Sequence, residues 1–243
     1  MKDPHGPRSF QTTHWSLVRQ AFDLGDTGQS QALEELCTAY WYPLYAFIRR
    51  QGHAPQDAED LTQGFFATLL AQETLASANP DKGKLRSFLL TCLRRYLSDQ
   101  RDRRFAQKRG ADVTFSLDMD WAEKRYASDT ASEELAPDRL FQRRWAITLL
   151  EFSLAAIAEE FSNKGKADLF QAVRPFLGFS EEASDSYETV AGQLDMPVGT
   201  FKSHVSRMRQ RWRELLFEQV AMTLEDPSSD NIKEELSELR EWI

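Results

Sequence analysis

Apolar positions along the chain recur at steps of three and four, while two-residue alternation is scarce, so the pattern predicts an all-α protein. A first helix opens at Thr13 or Ser16 and runs through Trp15, Leu17, Val18 and Phe22, with a loop over 25–30. Ala32–Arg50 is a strong helix that turns Leu33, Leu36, Cys37, Tyr40, Leu44, Phe47 and Ile48 inward, and Pro43 is placed to kink it. A turn at Gly52–Pro55 leads to a helix over Asp57–Leu70, with Leu61, Phe65 and Leu69 as its apolar stripe. Residues 76–84 read as a loop around Asn79-Pro80-Asp81, and Leu85 to about Lys108 as a long helix that grows basic towards its end. In the second half the pattern predicts a helix from Arg139 to Phe161, another over Lys166–Phe176, and a loop over 178–185.

Tyr187–Arg213 predicts two helices joined by a tight turn. Val190, Ala191 and Leu194 give the first an apolar face, and Ser186 is placed to cap its exposed backbone N–H groups. Asp195 falls where the turn needs a left-handed backbone, which Asp tolerates better than most residues. Pro197 suits the first turn of the next helix, where no intrahelical N–H is lost. In that second helix Val198, Phe201, Val205, Met208, Trp212 and Leu215 face the core. Thr200, Lys202, Ser203, His204, Ser206, Arg207 and Gln210 lie between them. From Val198 to Arg213 the bases are Lys202, Arg207, Arg209, Arg211 and Arg213, with no acid among them. Cations neutralise phosphates, and Ser, Thr, Gln and Arg bond base edges, so this helix has the chemistry of one that lies in a DNA groove. A solvated amphipathic helix is the plainer account of the same pattern.

Composition sharpens that contrast. The chain has 243 residues and a formal charge of −8, so its cations are concentrated in patches rather than spread over the surface. No apolar run approaches the ~20 residues of a membrane span, and the opening residues lead into no signal-peptide core, so a cytoplasmic protein is expected. Cys37 and Cys92 sit in helical apolar patterns and read as packed thiols. The four histidines show no metal-ligand spacing, and no cofactor or catalytic constellation is expected. Residues 112–138 hold eight acids and two bases with weak periodicity, and are expected to be an acidic linker. The tail from Glu225 holds seven acids and two bases, with Ile232, Leu236, Leu239 and Ile243 at helical spacing. It reads as a helix docked on the second domain, or as a cover for the basic helix there. The resulting division is 10–110, a linker over 111–138, 139–222, and an extension over 223–243.

Two segments of the first domain carry further chemistry. Asp57-Ala-Glu-Asp-Leu-Thr-Gln63 puts acids in the first turn of a helix, where they also suit its dipole. In Gly83–Arg104, Phe88 and Tyr96 are interleaved with Arg86, Arg94, Arg95, Arg101, Arg103 and Arg104, a mixture able to hold splayed bases and a single-stranded backbone. Together with Tyr187–Leu216 these segments resemble bacterial sigma factors of the sigma-70 family, specifically the extracytoplasmic-function group. The acidic run resembles region 2.2, the arginine-rich run regions 2.3 and 2.4, and Tyr187–Leu216 region 4.2. Arg95 stands where the family usually has Asn, and Asp195 where it usually has a turn glycine.

The resemblance implies a non-enzymatic transcription factor of two helical domains, sigma region 2-like and sigma region 4-like with a helix-turn-helix, joined by the acidic linker. Asp57, Glu59, Asp60 and Gln63 would meet the β′ clamp helices of core RNA polymerase. Arg86, Phe88, Arg94, Arg95, Asp99, Arg101, Arg103 and Arg104 would melt and hold the promoter minus-10 element, and the 76–84 loop would capture a flipped base. Thr200, Lys202, Ser203, His204, Ser206, Arg207 and Gln210 would read the minus-35 element as duplex, with the second domain meeting the β flap. An anti-sigma factor or a regulatory kinase would be a further partner; a membrane would not. Two other readings compete: a helix-turn-helix regulator that never touches polymerase, and a nuclease using Asp57, Glu59 and Asp60 as metal ligands, for which no partner His or Lys is placed by the sequence.

Overall fold

The computed structural model describes residues 26–71, 84–104, 119–130, 135–178, 185–224 and 226–242. The expected helix over 13–22, the expected loop up to residue 83 and the end of the basic helix past Arg104 lie outside the described residues. Among those described there are nine α-helices, one 3₁₀ turn and no strand. The helices are α1 (Asp26–Arg50), α2 (Pro55–Ala71), α3 (Leu85–Arg104), α4 (Met119–Thr130), α5 (Pro137–Asn163), α6 (Ala167–Val173), α7 (Tyr187–Gln193), α8 (Val198–Ala221) and α9 (Ser229–Trp242). The described residues within 26–148 and 220–242 form one compact unit, and those within 149–219 form a second. The C-terminal extension therefore groups with the first unit, not with the second as its sequence suggests.

In the first unit, α1 begins at Asp26, so 26–30 are helical where a loop was expected, and the helix continues through Pro43. Every residue from Ala39 to Ile48 is buried, so the middle of α1 is enclosed on all sides and not along one stripe. Trp41 stacks on Tyr45 at 4.9 Å, and Tyr40 on Trp145 of α5 at 6.3 Å. Gly52, at φ 93°, ends α1 in the left-handed conformation that glycine adopts without a Cβ penalty. The carbonyl of Ala54 then accepts the amide of Ala58 (2.9 Å), with Pro55 at the first helical position of α2.

Residues 119–130 fall in the stretch expected to be linker, yet they form α4 and dock on α1. The Tyr42 hydroxyl donates to Asp129 and the Tyr45 hydroxyl to Glu123, while Arg49 Nε and Nη2 donate to Glu123 at 2.8 and 3.0 Å. Asp129 also pairs with Arg144 of α5. The acids that made this segment look solvated are the groups that tie it down.

α2 and α3 meet at Gly64. A Cβ there would sit well inside van der Waals distance of the Tyr96 hydroxyl, and the Tyr96 ring is held edge-on to Phe65 at 5.9 Å. Gly64→Ala gains ~1 kcal/mol of helix propensity but forces these helices apart, and overpacking costs ~1–3 kcal/mol. We expect a net loss of about 1 kcal/mol, read as a lower urea midpoint at unchanged slope.

The second unit has its own core, in which Ile157, Phe170, Val173, Ala191, Phe201, Val205 and Met208 are buried together. Phe201 is fully enclosed, edge-on to Phe176 (5.3 Å) and Tyr187 (5.8 Å).

Candidate functional site

Three helix faces hold the residues singled out by the sequence. On α2, Asp60 is exposed and Asp57, Glu59 and Gln63 are half-buried. Gln63 Nε2 donates to Glu59 Oε1 at 3.2 Å. Partial burial, helped by the neighbouring Asp60 charge, pushes the Glu59 carboxyl above its ordinary range. The face thus presents concentrated negative charge, with Asp60 as its most accessible member.

On α3, spacings of seven and four place Phe88, Arg95 and Asp99 along one stripe, and Arg94 and Arg101 along a second. Arg94, Arg95, Asp99 and Arg101 are exposed and Phe88 is half-buried. Arg94 pairs with the exposed Asp138, and its guanidinium lies 5.9 Å from the Phe47 ring centre. Arg101 Nη2 reaches Gln51 Oε1 at 3.4 Å. Arg103 and Arg104 belong to the helix, but their side chains lie outside the described ones. Arg86 is set apart from all of these: it is 4% exposed, and its Nε donates to Gln142 Oε1 at 2.8 Å. Burial lowers its guanidinium pKa from the ordinary value.

The third face is on α8. Ser186 Oγ accepts the amide of Thr189 at 3.1 Å, the cap predicted for α7. Asp195 takes φ 50°, the left-handed value expected of the turn. The Pro197 carbonyl accepts the amide of Phe201 (3.1 Å), so Pro197 sits just ahead of α8 rather than within its first turn. Thr200, Lys202, Ser203, Ser206, Arg207 and Gln210 are all exposed, and His204 is half-buried. The Lys202 ammonium lies 5.6 Å from the Tyr187 ring centre, and Arg207 Nε donates to the Ser203 carbonyl at 3.3 Å. Burial, then the Arg207 and Lys166 charges, lowers the His204 pKa, which keeps the ring neutral at neutral pH.

Two of the five cations counted on this helix have structural partners that the sequence pattern did not reveal. Arg209 donates to the Phe176 carbonyl through Nε and Nη2 at 2.9 and 2.6 Å. Arg211 holds Glu160 (Nη2 to Oε1, 2.5 Å), Glu214 and Glu218. The hydrogen bond to Glu160 is the main cause of a raised Arg211 pKa and a lowered Glu160 one.

Residues 36–106 match the family model Sigma-70 region 2. This part of the chain is similar to a sigma-70 region 2. The match runs from the buried middle of α1 through α2 and α3, and so contains both Asp57–Gln63 and Arg86–Arg104. α7, α8 and α9 lie outside it. No curated protein and no solved structure matches the chain. Sigma-70 region 2 belongs to initiation factors that engage core RNA polymerase and promoter DNA. Among the described residues, no helix is long and apolar enough to cross a membrane.

Proposed function

We propose that the chain is a sigma factor of the extracytoplasmic-function type, directing core RNA polymerase to promoters through all three helix faces. The observation that carries this reading is the placement of the sigma-70 region 2 match: it falls on the two helices whose exposed chemistry is of opposite sign. Asp60, with Asp57, Glu59 and Gln63 beside it, meets the basic β′ clamp helices. The α3 stripes, with Phe88 and Arg95 on one and Arg94 and Arg101 on the other, hold the melted minus-10 strand by stacking and phosphate contact. The exposed α8 face reads the minus-35 duplex as the second helix of a helix-turn-helix, with the second unit against the β flap. The chain would work in the cytoplasm without a cofactor.

The test is Asp60→Arg in run-off transcription and core pull-down. Reversing an exposed charge opposite a basic surface replaces attraction by like-charge repulsion. We expect core affinity to fall at least about tenfold, equal to ~1.4 kcal/mol, and transcripts to fall with it. Full core binding by a folded Asp60→Arg chain overturns the assignment of α2. A chain that binds duplex DNA but never core polymerase would instead be a helix-turn-helix regulator, which the exposed α8 face alone would also suit.

A further inference from the structure

Among the described residues the most enclosed acid, Glu235, lies on α9. Ile232, Glu235 and Leu239, at spacings of three and four, form its inner stripe and are 2%, 1% and 5% exposed. Burying a carboxylate among apolar neighbours is costly unless a cation meets it, and here two do. Arg86 Nη1 donates to Glu235, and its Nη2 to Glu238 Oε2 at 3.0 Å. Lys84 Nζ lies 2.5 Å from Glu238 Oε2 and 2.5 Å from Glu235 Oε2, the latter an ion pair without hydrogen-bond alignment.

What lies beneath that helix has a chemistry of its own. The Arg86 guanidinium is stacked 4.7 Å above the Trp145 ring, and Arg139 reaches the Trp242 ring of α9 at 5.8 Å. Lys84, Arg86 and Arg139 supply cations for the phosphates of a single strand. α9 meets Lys84 and Arg86 with the carboxylates of Glu235 and Glu238, and Arg139 with the Trp242 ring. It is a helix of 14 residues following Pro227, and a helix of that length is marginal by itself. Its hold on the first unit rests on the apolar pair Ile232 and Leu239 and on the four-member ion cluster. Burial alone would raise the Glu238 carboxyl, but Lys84 and Arg86 together hold it below the ordinary range, so Glu238 remains charged at neutral pH.

We propose that α9 is a built-in acidic stand-in for single-stranded DNA, covering a surface formed by Lys84, Arg86 and Arg139 that takes the strand once the helix lifts. This rests on the reading of the first unit as the holder of the melted promoter strand, and extends it to a covered part of that surface.

Glu235→Gln with Glu238→Gln in the full-length chain keeps the shape and apolar contacts of α9 while removing its charge from that surface. The probe is a labelled oligothymidylate of about 20 nucleotides, followed by fluorescence anisotropy across a salt series. The double variant should bind about tenfold more tightly at low salt. Its salt slope should steepen by ~1.4, the share of two phosphates on a single strand. Glu238→Gln alone, at a half-exposed position that folding tolerates, should gain about threefold, and adding Lys84→Ala should erase that gain. A folded double variant with unchanged affinity and slope, or a gain that survives Lys84→Ala, overturns the proposal. Should the double variant fail to fold, the absence of any gain in Glu238→Gln overturns it equally. The two readings fail separately: unchanged strand binding alongside loss of core binding by Asp60→Arg leaves the sigma-factor role standing, whereas a gain in a chain that never binds core upholds the covered surface and sinks that role.

Discussion

Asp129→Ala should destabilise the first unit by about 3–5 kcal/mol, the loss typical of removing one partner from a buried ion pair. Asp129 lies on α4 with its side chain only 5% exposed, and its two oxygens serve two elements. One accepts from the Tyr42 hydroxyl of α1, and the other pairs with Arg144 of α5, itself 9% exposed. Truncation leaves a buried guanidinium without its carboxylate and a buried hydroxyl without its acceptor, and each keeps its desolvation cost. Burial first, and then the Asp129 carboxylate, push the Tyr42 pKa far up, so that hydroxyl stays a donor across the working range. Asp129→Asn retains an acceptor for Tyr42 but no charge for Arg144, and should fall between wild type and Asp129→Ala in a urea titration. A loss under about 1 kcal/mol for Asp129→Ala would mean that α4 is merely laid on the surface.

The neighbouring contact sets an acid limit for the same docking. The hydrogen bond from Arg49 is the main reason the Glu123 carboxyl is held below its ordinary range. A carboxyl lowered in the fold contributes stability above its unfolded pKa, and loses it as pH falls through the folded value. The attachment of α4 to α1 is therefore intact at neutral pH and weakens on acidification.

Periodicity carried the second unit well because a small helical unit hides one face of each helix. The inward positions of α7 and α8, the Ser186 cap and the left-handed Asp195 all follow from spacing and local backbone chemistry. The first unit was less legible. α1 is enclosed all round from Ala39 to Ile48, so Trp41, Tyr42 and Tyr45 are buried alongside the stripe that spacing selects. α4 was hidden because its attachment is polar: Ala122 and Asp129 are its buried residues, and an apolar pattern passes over such a helix. Excess negative charge suggests solvent, but it does not say whether a buried arginine waits elsewhere in the chain. The same blindness applies to Arg86. Its place in an arginine-rich run assigns it to DNA, whereas Glu235 and Glu238, about 150 residues later, decide its surroundings. A helical pattern identifies which face is covered, not what covers it.

On α8 this difference between the number of cations and their availability can be measured. A chain carrying Lys202→Glu and Arg207→Glu should bind promoter duplex about a hundredfold more weakly, or ~2.8 kcal/mol. Both side chains are exposed on the face that holds Thr200, Ser203 and Gln210. Lys202 lies against the Tyr187 ring and Arg207 against the Ser203 carbonyl, neither of which neutralises a cation, so both charges are available to phosphates. Each duplex phosphate that a cation neutralises adds ~0.9 to the salt slope, so removing two such cations should flatten it by about 2. Arg211→Gln is the contrasting variant. Its guanidinium is committed to Glu160, Glu214 and Glu218, so its removal should leave the salt slope unchanged. Its stability effect should also be small, because the cluster is partly exposed and screened. Both outcomes are read by anisotropy on labelled duplex, with circular dichroism melts to show that each chain is folded. If Arg211→Gln flattened the slope as much as the double reversal, duplex would be gripped by total positive charge on α8. Assignment of the minus-35 contact to the Thr200–Gln210 face would then fail.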